Sequence, residues 1–310
     1  MLNNLRKLGI LVAFFCVLLL GLAVLAVSYI DVGLTEIVWD EGDVQPVLDL
    51  SQIPQSVIED ASVLARELYG DYQQDYNAFV YQLLNTYMEV KEKDCVLIFN
   101  PGGWGSTLLE NSSAWYDISR GIRAELDELG YSSMVVDYRR TSKSIRGAIN
   151  EFVEIFREYP TKADNLASRV NFLTRNVPEL KIIVAGESNG SVISDRVMVM
   201  MQDNPRVYSI QTGPPFWHRQ NTLERTLLLN NNGITPDSFS RGDVVAMVGA
   251  SAKALFGFSS PEEDDPGRIL FYLRAPGHDY RWHYPAVYSE ITQFLHQNFG
   301  LKVVDTYFDY

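Results

Sequence analysis

From Asp94 to about residue 300, short apolar runs alternate with longer stretches of helical periodicity. The runs are almost continuously hydrophobic, as strands buried on both faces are: Cys95–Asn100, Ser133–Tyr138, Lys181–Ala185, Val207–Thr212 and Arg268–Leu273. Helices are predicted between and after them, at Ala114–Leu129, within 145–176, at Gly190–Met201 and at Pro285–Phe299. This alternation predicts an α/β fold, a doubly wound and mainly parallel sheet with helices on both faces.

Other segments flank or interrupt the core predicted for residues 94–300. Residues 31–93 read as a linker followed by two amphipathic helices, at about Pro54–Tyr69 and Asp75–Lys91, which are expected to pack on the edge of the core or to form a cap. Residues 214–260 are long for one connection and rich in aromatic and leucine residues, which suggests a cap or lid. The tail 301–310 has the alternation of an added edge strand.

The N-terminus carries a membrane signal. An uncharged stretch from Leu8 to Ile30 follows Arg6 and Lys7, and as a helix it would span roughly 35 Å, enough for the bilayer core. The charges beyond it are acidic, so the positive-inside rule predicts a cytoplasmic N-terminus and an extracytoplasmic globular part, most simply facing the periplasm from a bacterial inner membrane. A cleaved signal peptide is the alternative to this single-pass anchor, spanning residues 1–30.

Composition narrows the classes of partner. The 46% of apolar residues are sufficient for a hydrophobic core. The chain has 39 acidic and 26 basic residues, a net charge of −13 and no basic stripe, which argues against nucleic acid as a binding partner. The two cysteines, Cys16 and Cys95, are not expected to pair. No Cys/His spacing indicates a metal site, and no cofactor motif is present, so neither a metal nor a cofactor is predicted.

The candidate chemistry begins at Gly186-Glu187-Ser188-Asn189-Gly190, where a predicted strand meets a predicted helix. A G-x-S-x-G sequence at such a turn fits a nucleophile elbow, in which glycines two positions to either side of the serine avoid collisions. The N-terminus of the helix also directs the Asn189 N–H toward an oxyanion on the serine. The alternative is a glycine-rich turn whose serine only caps the helix.

A second motif, Pro101-Gly102-Gly103-Trp104-Gly105-Ser106, follows the first strand. With the G-E-S-N-G turn and Asp137-Tyr138-Arg139 it makes residues 94–300 resemble the α/β-hydrolase superfamily. The resemblance implies a second oxyanion donor from this loop, at Gly103 or Trp104, beside Asn189. A phosphate-cradling turn is the other interpretation, but the loop lacks the Lys-Ser/Thr ending of a P-loop.

The resemblance also implies that an acid and then a histidine follow the serine in the chain. His278, in Ala275-Pro276-Gly277-His278-Asp279, comes after the last predicted strand and is the candidate general base, with His283 in reserve. His296 is expected to be a surface or packing residue, and His218 to shape a pocket.

The acid is harder to place. The cluster Glu262–Asp265 precedes the last strand and so would lie at the wrong edge of a parallel sheet. Asp243 lies between the preceding strand and His278 and resembles the Asp-x-Val around the acid of some lipases. We therefore predict Asp243 as the triad acid, with a role as the N-cap of a following helix as the alternative.

These residues together predict a membrane-anchored, extracytoplasmic serine hydrolase that cleaves a carboxylic ester through an acyl-enzyme on Ser188. Expected substrates are small-molecule or lipid esters, in line with the anchor and the apolar residues of 214–260. The same residues would serve an acyltransferase or a peptidase, and a non-catalytic hydrolase-fold module that binds a ligand or a protein is the alternative of another class. The sequence leaves the oligomeric state open.

Overall fold

The computed structural model describes residues 48–70, 73–140, 151, 153–155, 157–255, 268–270 and 273–300. The segment Leu8–Ile30, the cluster Glu262–Asp265 and the tail 301–310 lie outside these residues. Within the described ranges, no helix combines the length and the hydrophobicity that a bilayer crossing requires. The anchor and the extracytoplasmic location therefore stay predictions from the sequence.

A parallel five-stranded sheet forms the centre of the fold. Its strands are β1 (Cys95–Asn100), β2 (Ser133–Asp137), β3 (Lys181–Glu187), β4 (Val207–Thr212) and β5 (Thr226–Leu229). They lie in the order β2-β1-β3-β4-β5, and each neighbouring pair runs parallel. All residues of β1 and β4 are buried, which explains why these strands read as continuous apolar runs.

Helices cover both faces of this sheet. On one face, α3 (Ser113–Glu128) and α7 (Pro285–Asn298) share a core with the β1 residues Leu97 and Phe99. On the other face, α4 (Pro160–Asn176) and α5 (Asn189–Met200) share a second core with Val96 and Ile98, the alternate residues of the same strand. Because successive side chains of a strand point to opposite faces, this division confirms the predicted doubly wound α/β class.

The two N-terminal helices belong to that second core. They span Gln55–Tyr69 (α1) and Gln73–Val90 (α2), and their buried residues, among them Ala61, Tyr69 and Phe79, pack with residues of α4. Polar contacts support the packing, since Asn165 of α4 donates to the Tyr69 hydroxyl at 2.8 Å. The helices were predicted at the edge of the core or as a cap, and the structure packs them on α4.

Within the region 214–260, suggested as a cap or lid, the described residues form strand β5 of the sheet and then helix α6 (Val244–Leu255). One prediction for the C-terminal half needs correction. Arg268–Leu273, predicted as one strand of the parallel sheet, instead contains the short strands β6 (Arg268–Leu270) and β7 (Leu273–Arg274), which pair with each other in antiparallel fashion. The four residues of β5, Thr-Leu-Leu-Leu, of which three are half-buried and Leu229 is buried, carry too weak a pattern to predict this strand.

The strand order fixes where a ligand would bind. The chain moves from β1 outward to β2 on one side and then returns to place β3 on the other side of β1. Connections leave the carboxyl ends of β1 and β3 in opposite directions, and a crevice opens between them at this switch point. The loop 101–105 follows β1 and Ser188 follows β3, so the two sequence motifs meet there.

Candidate active site

Ser188 occupies a strained turn between β3 and α5. Its backbone has φ 49° and ψ −117°, a region that non-glycine residues rarely adopt, and its side chain is almost fully buried. The turn is held on both sides, since the Ser188 N–H donates to the Thr212 carbonyl at 2.8 Å and the Ser188 carbonyl accepts from the Ser191 N–H at 2.9 Å. This is the geometry that the nucleophile-elbow interpretation predicts.

The glycines around Ser188 are required by close contacts. A Cβ atom on Gly190 would lie 2.1 Å from the carbonyl oxygen of Asn100, and one on Gly186 would lie 2.6 Å from Cα of Ser191. Both neighbours are backbone atoms, which cannot rotate away as a side chain can. The predicted collisions at these two positions are therefore confirmed.

The glycine-rich loop after β1 lies against the elbow. A Cβ atom on Gly102 would come within 3.2 Å of Ser188 Cβ, and Gly103 and Gly105 have φ values of 55° and 71°, which favour glycine. The Asn189 side chain crosses to the loop and donates to the Gly103 carbonyl at 3.2 Å. The structure thus brings all three predicted oxyanion residues, Gly103, Trp104 and Asn189, to the elbow or to the loop beside it.

Among these residues, Asn189 is the first of helix α5. Backbone N–H groups in the first turn of a helix have no acceptor within that helix, and the helix dipole places positive charge there. The Asn189 N–H is therefore a suitable donor to an anion that forms on Ser188. Trp104 lies in the facing loop with its side chain partly exposed.

The carboxylate that contacts His278 is Asp237. The Asp237 Oδ2 atom lies 2.9 Å from His278 Nδ1 and also accepts the hydroxyls of Tyr280 and Ser240, each at 2.8 Å. Its Oδ1 atom accepts the backbone N–H groups of Phe239 and Ser240 at 2.8 and 3.1 Å. A fully buried carboxylate with this many donors is held in one orientation, and it in turn orients the imidazole.

These contacts also set the charge of Asp237. Burial by itself would raise the pKa of this carboxyl group, but the hydrogen bond and the charge of His278, with the donors from Ser240 and Tyr280, outweigh it and hold the pKa below its ordinary value. The Tyr280 pKa is raised by burial and by the neighbouring Asp237 carboxylate. Asp237 therefore carries a negative charge, and Tyr280 is neutral, over the physiological pH range.

The His278 ring lies at the end of β4, next to the elbow. A Cβ atom on Gly213 would come within 2.5 Å of His278 Cε1, and Gly213 directly follows Thr212, whose carbonyl holds the Ser188 N–H. Gly213 has φ 58°. The predicted nucleophile and the predicted base therefore lie at the carboxyl ends of the neighbouring strands β3 and β4.

Glu187, the residue before Ser188, is a second carboxylate at this edge. Its Oε2 atom accepts the Gly102 N–H at 3.3 Å, which ties the elbow to the loop after β1. Loss of hydration raises the pKa of Glu187, and the Gly102 hydrogen bond and the charge of His278 offset only part of the increase. Glu187 therefore takes up a proton at higher pH than an exposed glutamate does.

Asp243, the predicted acid, lies elsewhere. Its side chain is exposed, and its Oδ1 atom accepts the N–H of Ala246 at 3.0 Å, which caps the N-terminus of α6. The contact with His278 comes from Asp237 instead, six residues earlier in the same connection. Prediction of the strand at 226–229 would have pointed to Asp237 as the acid. This strand places the following loop, and Asp237 with it, at the carboxyl edge of the sheet.

The other histidines have different surroundings. His283 is exposed, packs on the Tyr284 ring and borders a surface groove with Asp117 and Arg120 of α3. His296 lies 3.5 Å from Glu125 on the surface. His218, predicted to shape a pocket, is buried with its Nε2 atom 3.0 Å from Asp195 of α5.

Aromatic rings continue outward from His278. Phe239 packs against the imidazole with 4.9 Å between ring centroids, and Trp217 packs on Phe239 at 5.3 Å. Phe216 and Trp217 are 51% and 43% exposed, so apolar surface reaches solvent beside the candidate site. Val244 and Val245 at the start of α6 are exposed as well. Such a surface suits an apolar group on a ligand better than a charged one.

The described residues contain no group of three or more His, Cys, Asp or Glu side chains arranged to hold a metal ion. Cys95 is buried, and burial raises its pKa, so its thiol stays protonated.

Comparison with known proteins gives little beyond this geometry. No family model matches the chain, and no curated protein matches it. Among solved structures the chain is similar to a cutinase from Trichoderma reesei in complex with a phosphonate inhibitor, at 11% identity and a TM-score of 0.30, over 59% of this chain and 77% of that chain. At that score and identity the likeness carries no weight for function.

Proposed function

We propose that this protein is a serine hydrolase that cleaves carboxylic esters through an acyl-enzyme on Ser188. The observation that carries the proposal is the His278–Asp237 pair, 2.9 Å apart, at the same edge of the sheet as a serine held in a strained strand-to-helix turn. A serine that only caps a helix does not require this backbone conformation or a neighbouring His–Asp pair. Ser188, His278 and Asp237 are the proposed nucleophile, base and orienting acid.

In the proposed reaction, His278 Nε2 takes the proton of Ser188 Oγ while Oγ bonds to the carbonyl carbon of the ester. The oxyanion that forms accepts hydrogen bonds from the Asn189 N–H and from the loop at Gly103 and Trp104. The carbon–oxygen bond to the alcohol then breaks, and the alcohol leaves with the proton from His278. Water attacks the acyl-enzyme with His278 again as base, which releases the carboxylic acid and restores Ser188.

The aromatic residues that extend from His278 to the surface support hydrophobic esters as the substrate class. Phe216, Trp217 and Phe239 form a surface that leads to His278, and an acyl or alcohol chain laid on it would bury apolar area worth roughly 25 cal/mol per Å². Acyl transfer to an acceptor other than water, and peptide cleavage, use the same three residues. A non-catalytic module that binds a ligand or a protein is the competing hypothesis.

The first prediction tests the nucleophile with a fluorophosphonate probe, read by in-gel fluorescence. We expect labelling of the wild type near neutral pH, no labelling of Ser188→Ala, and a loss of p-nitrophenyl ester turnover of about 10⁶-fold in that variant. His278→Ala should also abolish labelling, because the serine then has no base.

His283→Ala is the matched control, since His283 is exposed and turned toward α3, and it should label like the wild type. A folded wild type that neither labels nor hydrolyses the ester would favour the binding module. Labelling that survives in Ser188→Ala would place the nucleophile on another residue.

A further inference from the structure

Arg140 is a buried cation whose contacts converge on the chain around the candidate oxyanion loop. Its side chain and that of Glu151 are fully buried, and Arg140 Nε donates to Glu151 Oε1 at 2.8 Å. The Nη1 group donates to Asn100 Oδ1 at 2.7 Å and also to the Pro101 carbonyl, while Nη2 donates to the Gly103 carbonyl at 3.1 Å. The planar guanidinium thus donates hydrogen bonds to three residues, Asn100, Pro101 and Gly103, from the end of β1 into the loop.

The loop closely encloses this side chain. The Arg140 N–H donates to the Gly105 carbonyl at 3.2 Å, and a Cβ atom on Gly105 would lie 2.4 Å from Cγ and Nε of Arg140. Gly105 therefore has to be a glycine for the guanidinium to fit. On its other side, the guanidinium lies 5.5 Å from the centroid of the Tyr159 ring.

A hydrogen bond that fixes a backbone carbonyl also fixes the direction of the N–H group of the next residue. In a trans peptide the C=O of one residue and the N–H of the next point in opposite directions. With the Pro101 carbonyl held by Arg140, the Gly102 N–H points away from the guanidinium, and it reaches Glu187 Oε2 beside the elbow. By the same geometry, a Gly103 carbonyl held by Arg140 and Asn189 turns the Trp104 N–H away from the guanidinium.

A buried ion pair is a poor means of stabilisation, because the loss of hydration offsets most of the attraction between the charges. A guanidinium is, however, well suited to holding several acceptors at once, since it presents donors in one rigid plane. The convergence of these donors on one loop distinguishes Arg140 from an arginine that is buried only for packing.

We propose that Arg140, held by Glu151, is a positioning residue that orients the amides of loop 101–105 to receive the oxyanion formed on Ser188. This inference rests on the proposed function. It predicts that loss of the guanidinium weakens stabilisation of the oxyanion and leaves binding of the ground-state ester almost unchanged.

The test compares a p-nitrophenyl ester with the thionoester in which sulfur replaces the carbonyl oxygen. Amide donors positioned for oxygen bind a larger thiolate poorly, so the wild type should turn over the oxygen ester much faster. The readout is the ratio of the two kcat/KM values. This ratio does not depend on the fraction of folded enzyme, so partial unfolding of a variant leaves it unchanged.

The variants are Arg140→Lys, which keeps the charge and loses the planar array of donors, and Glu151→Gln, which keeps the shape and loses the partner charge. Arg206→Lys is the matched control, because Arg206 also binds two carbonyls, those of Val177 and Thr174, but immediately before β4 at the opposite edge of the sheet.

For Arg140→Lys we expect kcat on the oxygen ester to fall by about 10²-fold, with KM changed by less than about threefold. The thionoester rate should fall much less, so that the ratio drops by roughly 10-fold or more. Glu151→Gln should move the ratio in the same direction, and Arg206→Lys should keep the wild-type ratio.

An unchanged ratio in both Arg140→Lys and Glu151→Gln would overturn the positioning role while Ser188 chemistry stands. An equal drop in Arg206→Lys would also overturn it, because the effect would then be general. If the wild type turns over neither ester, the proposed function itself fails, and the positioning role fails with it.

Discussion

At the scale of single residues, the candidate site depends on which of two aspartates contacts His278. Asp237 and Asp243 lie in one polar connection, and both accept backbone N–H groups as capping residues do. Only Asp237, of these two, also reaches the imidazole in the structure, and it does so from full burial. The different roles of the two aspartates therefore follow from the groups that each one contacts and from how deeply each one is buried.

Asp237→Asn should lower kcat by about 10⁴-fold, because an amide cannot hold the imidazole in the tautomer and charge state that the reaction requires. Asp243→Ala should keep kcat within about twofold and lower the free energy of unfolding by about 1 kcal/mol, as loss of a helix cap does. Ester kinetics and urea unfolding on both variants measure these effects. Full activity of Asp237→Asn, or a collapse of turnover in Asp243→Ala, would reverse the assignment.

At the scale of elements, the close packing at the β3–α5 turn affects both the stability of the fold and the position of Ser188. Gly190 packs against the backbone at the end of β1, so the helix can begin beside Ser188 only if that position has no side chain. Gly249, in helix α6, has no atom within 4 Å of the place where its Cβ would be, so an alanine there meets open space. Alanine substitutions at the two glycines therefore distinguish the effect of a steric clash, at Gly190, from the effect of helix propensity alone, at Gly249.

Gly190→Ala should therefore cost about 3 kcal/mol or more of unfolding free energy and displace Ser188 enough to reduce ester turnover. Gly249→Ala should be neutral or stabilising by up to about 1 kcal/mol, because alanine is the better helix former. Thermal unfolding with parallel kinetics tests both variants. A Gly190→Ala protein as stable and as active as the wild type would contradict the close contact between α5 and β1.

At the scale of the whole molecule, helices α1 and α2 are part of the same hydrophobic core as one face of the sheet. Phe79 of α2 is fully buried, packs on Tyr69 at 5.3 Å between ring centroids, and lies 4.6 Å below the guanidinium of Arg169 on α4. Phe79→Ala should lower the free energy of unfolding by about 3–5 kcal/mol in one cooperative transition, while kcat of the remaining folded protein is unchanged.

Val63→Ala on the exposed face of α1 is the control, with an expected change within about 0.5 kcal/mol. Urea unfolding monitored by tryptophan fluorescence and by circular dichroism distinguishes the outcomes. A loss below about 1 kcal/mol for Phe79→Ala, or a separate transition for the helices, would mean that α1 and α2 form a unit of their own.

Local sequence patterns are sufficient to predict the strands β1 to β4, the helices that cover them and the position of Ser188 at the end of β3. Each of these follows from short-range patterns: continuous apolar runs, helical periodicity, and glycines around a serine at a strand end. The edge rule for parallel sheets then predicts that the loop after β1 and the turn at Ser188 lie side by side. For His278 the same rule was applied to Arg268–Leu273, whose strands form a separate antiparallel pair. The position of His278 beside Gly213 after β4 therefore comes from the tertiary structure.

Local patterns do not predict that β5 joins the sheet, that Asp237 contacts His278, that α1 and α2 pack on α4, or that Arg140 binds the loop after β1. A strand of only four residues, β5, has too little pattern of its own to be predicted, and its pairing with β4 supplies the backbone hydrogen bonds that define it. The Asp237–His278 and Arg140–Gly103 contacts join residues 41 and 37 positions apart. Side-chain contacts at such separations depend on the folded path of the chain between them, and no local pattern of polar and apolar residues encodes that path.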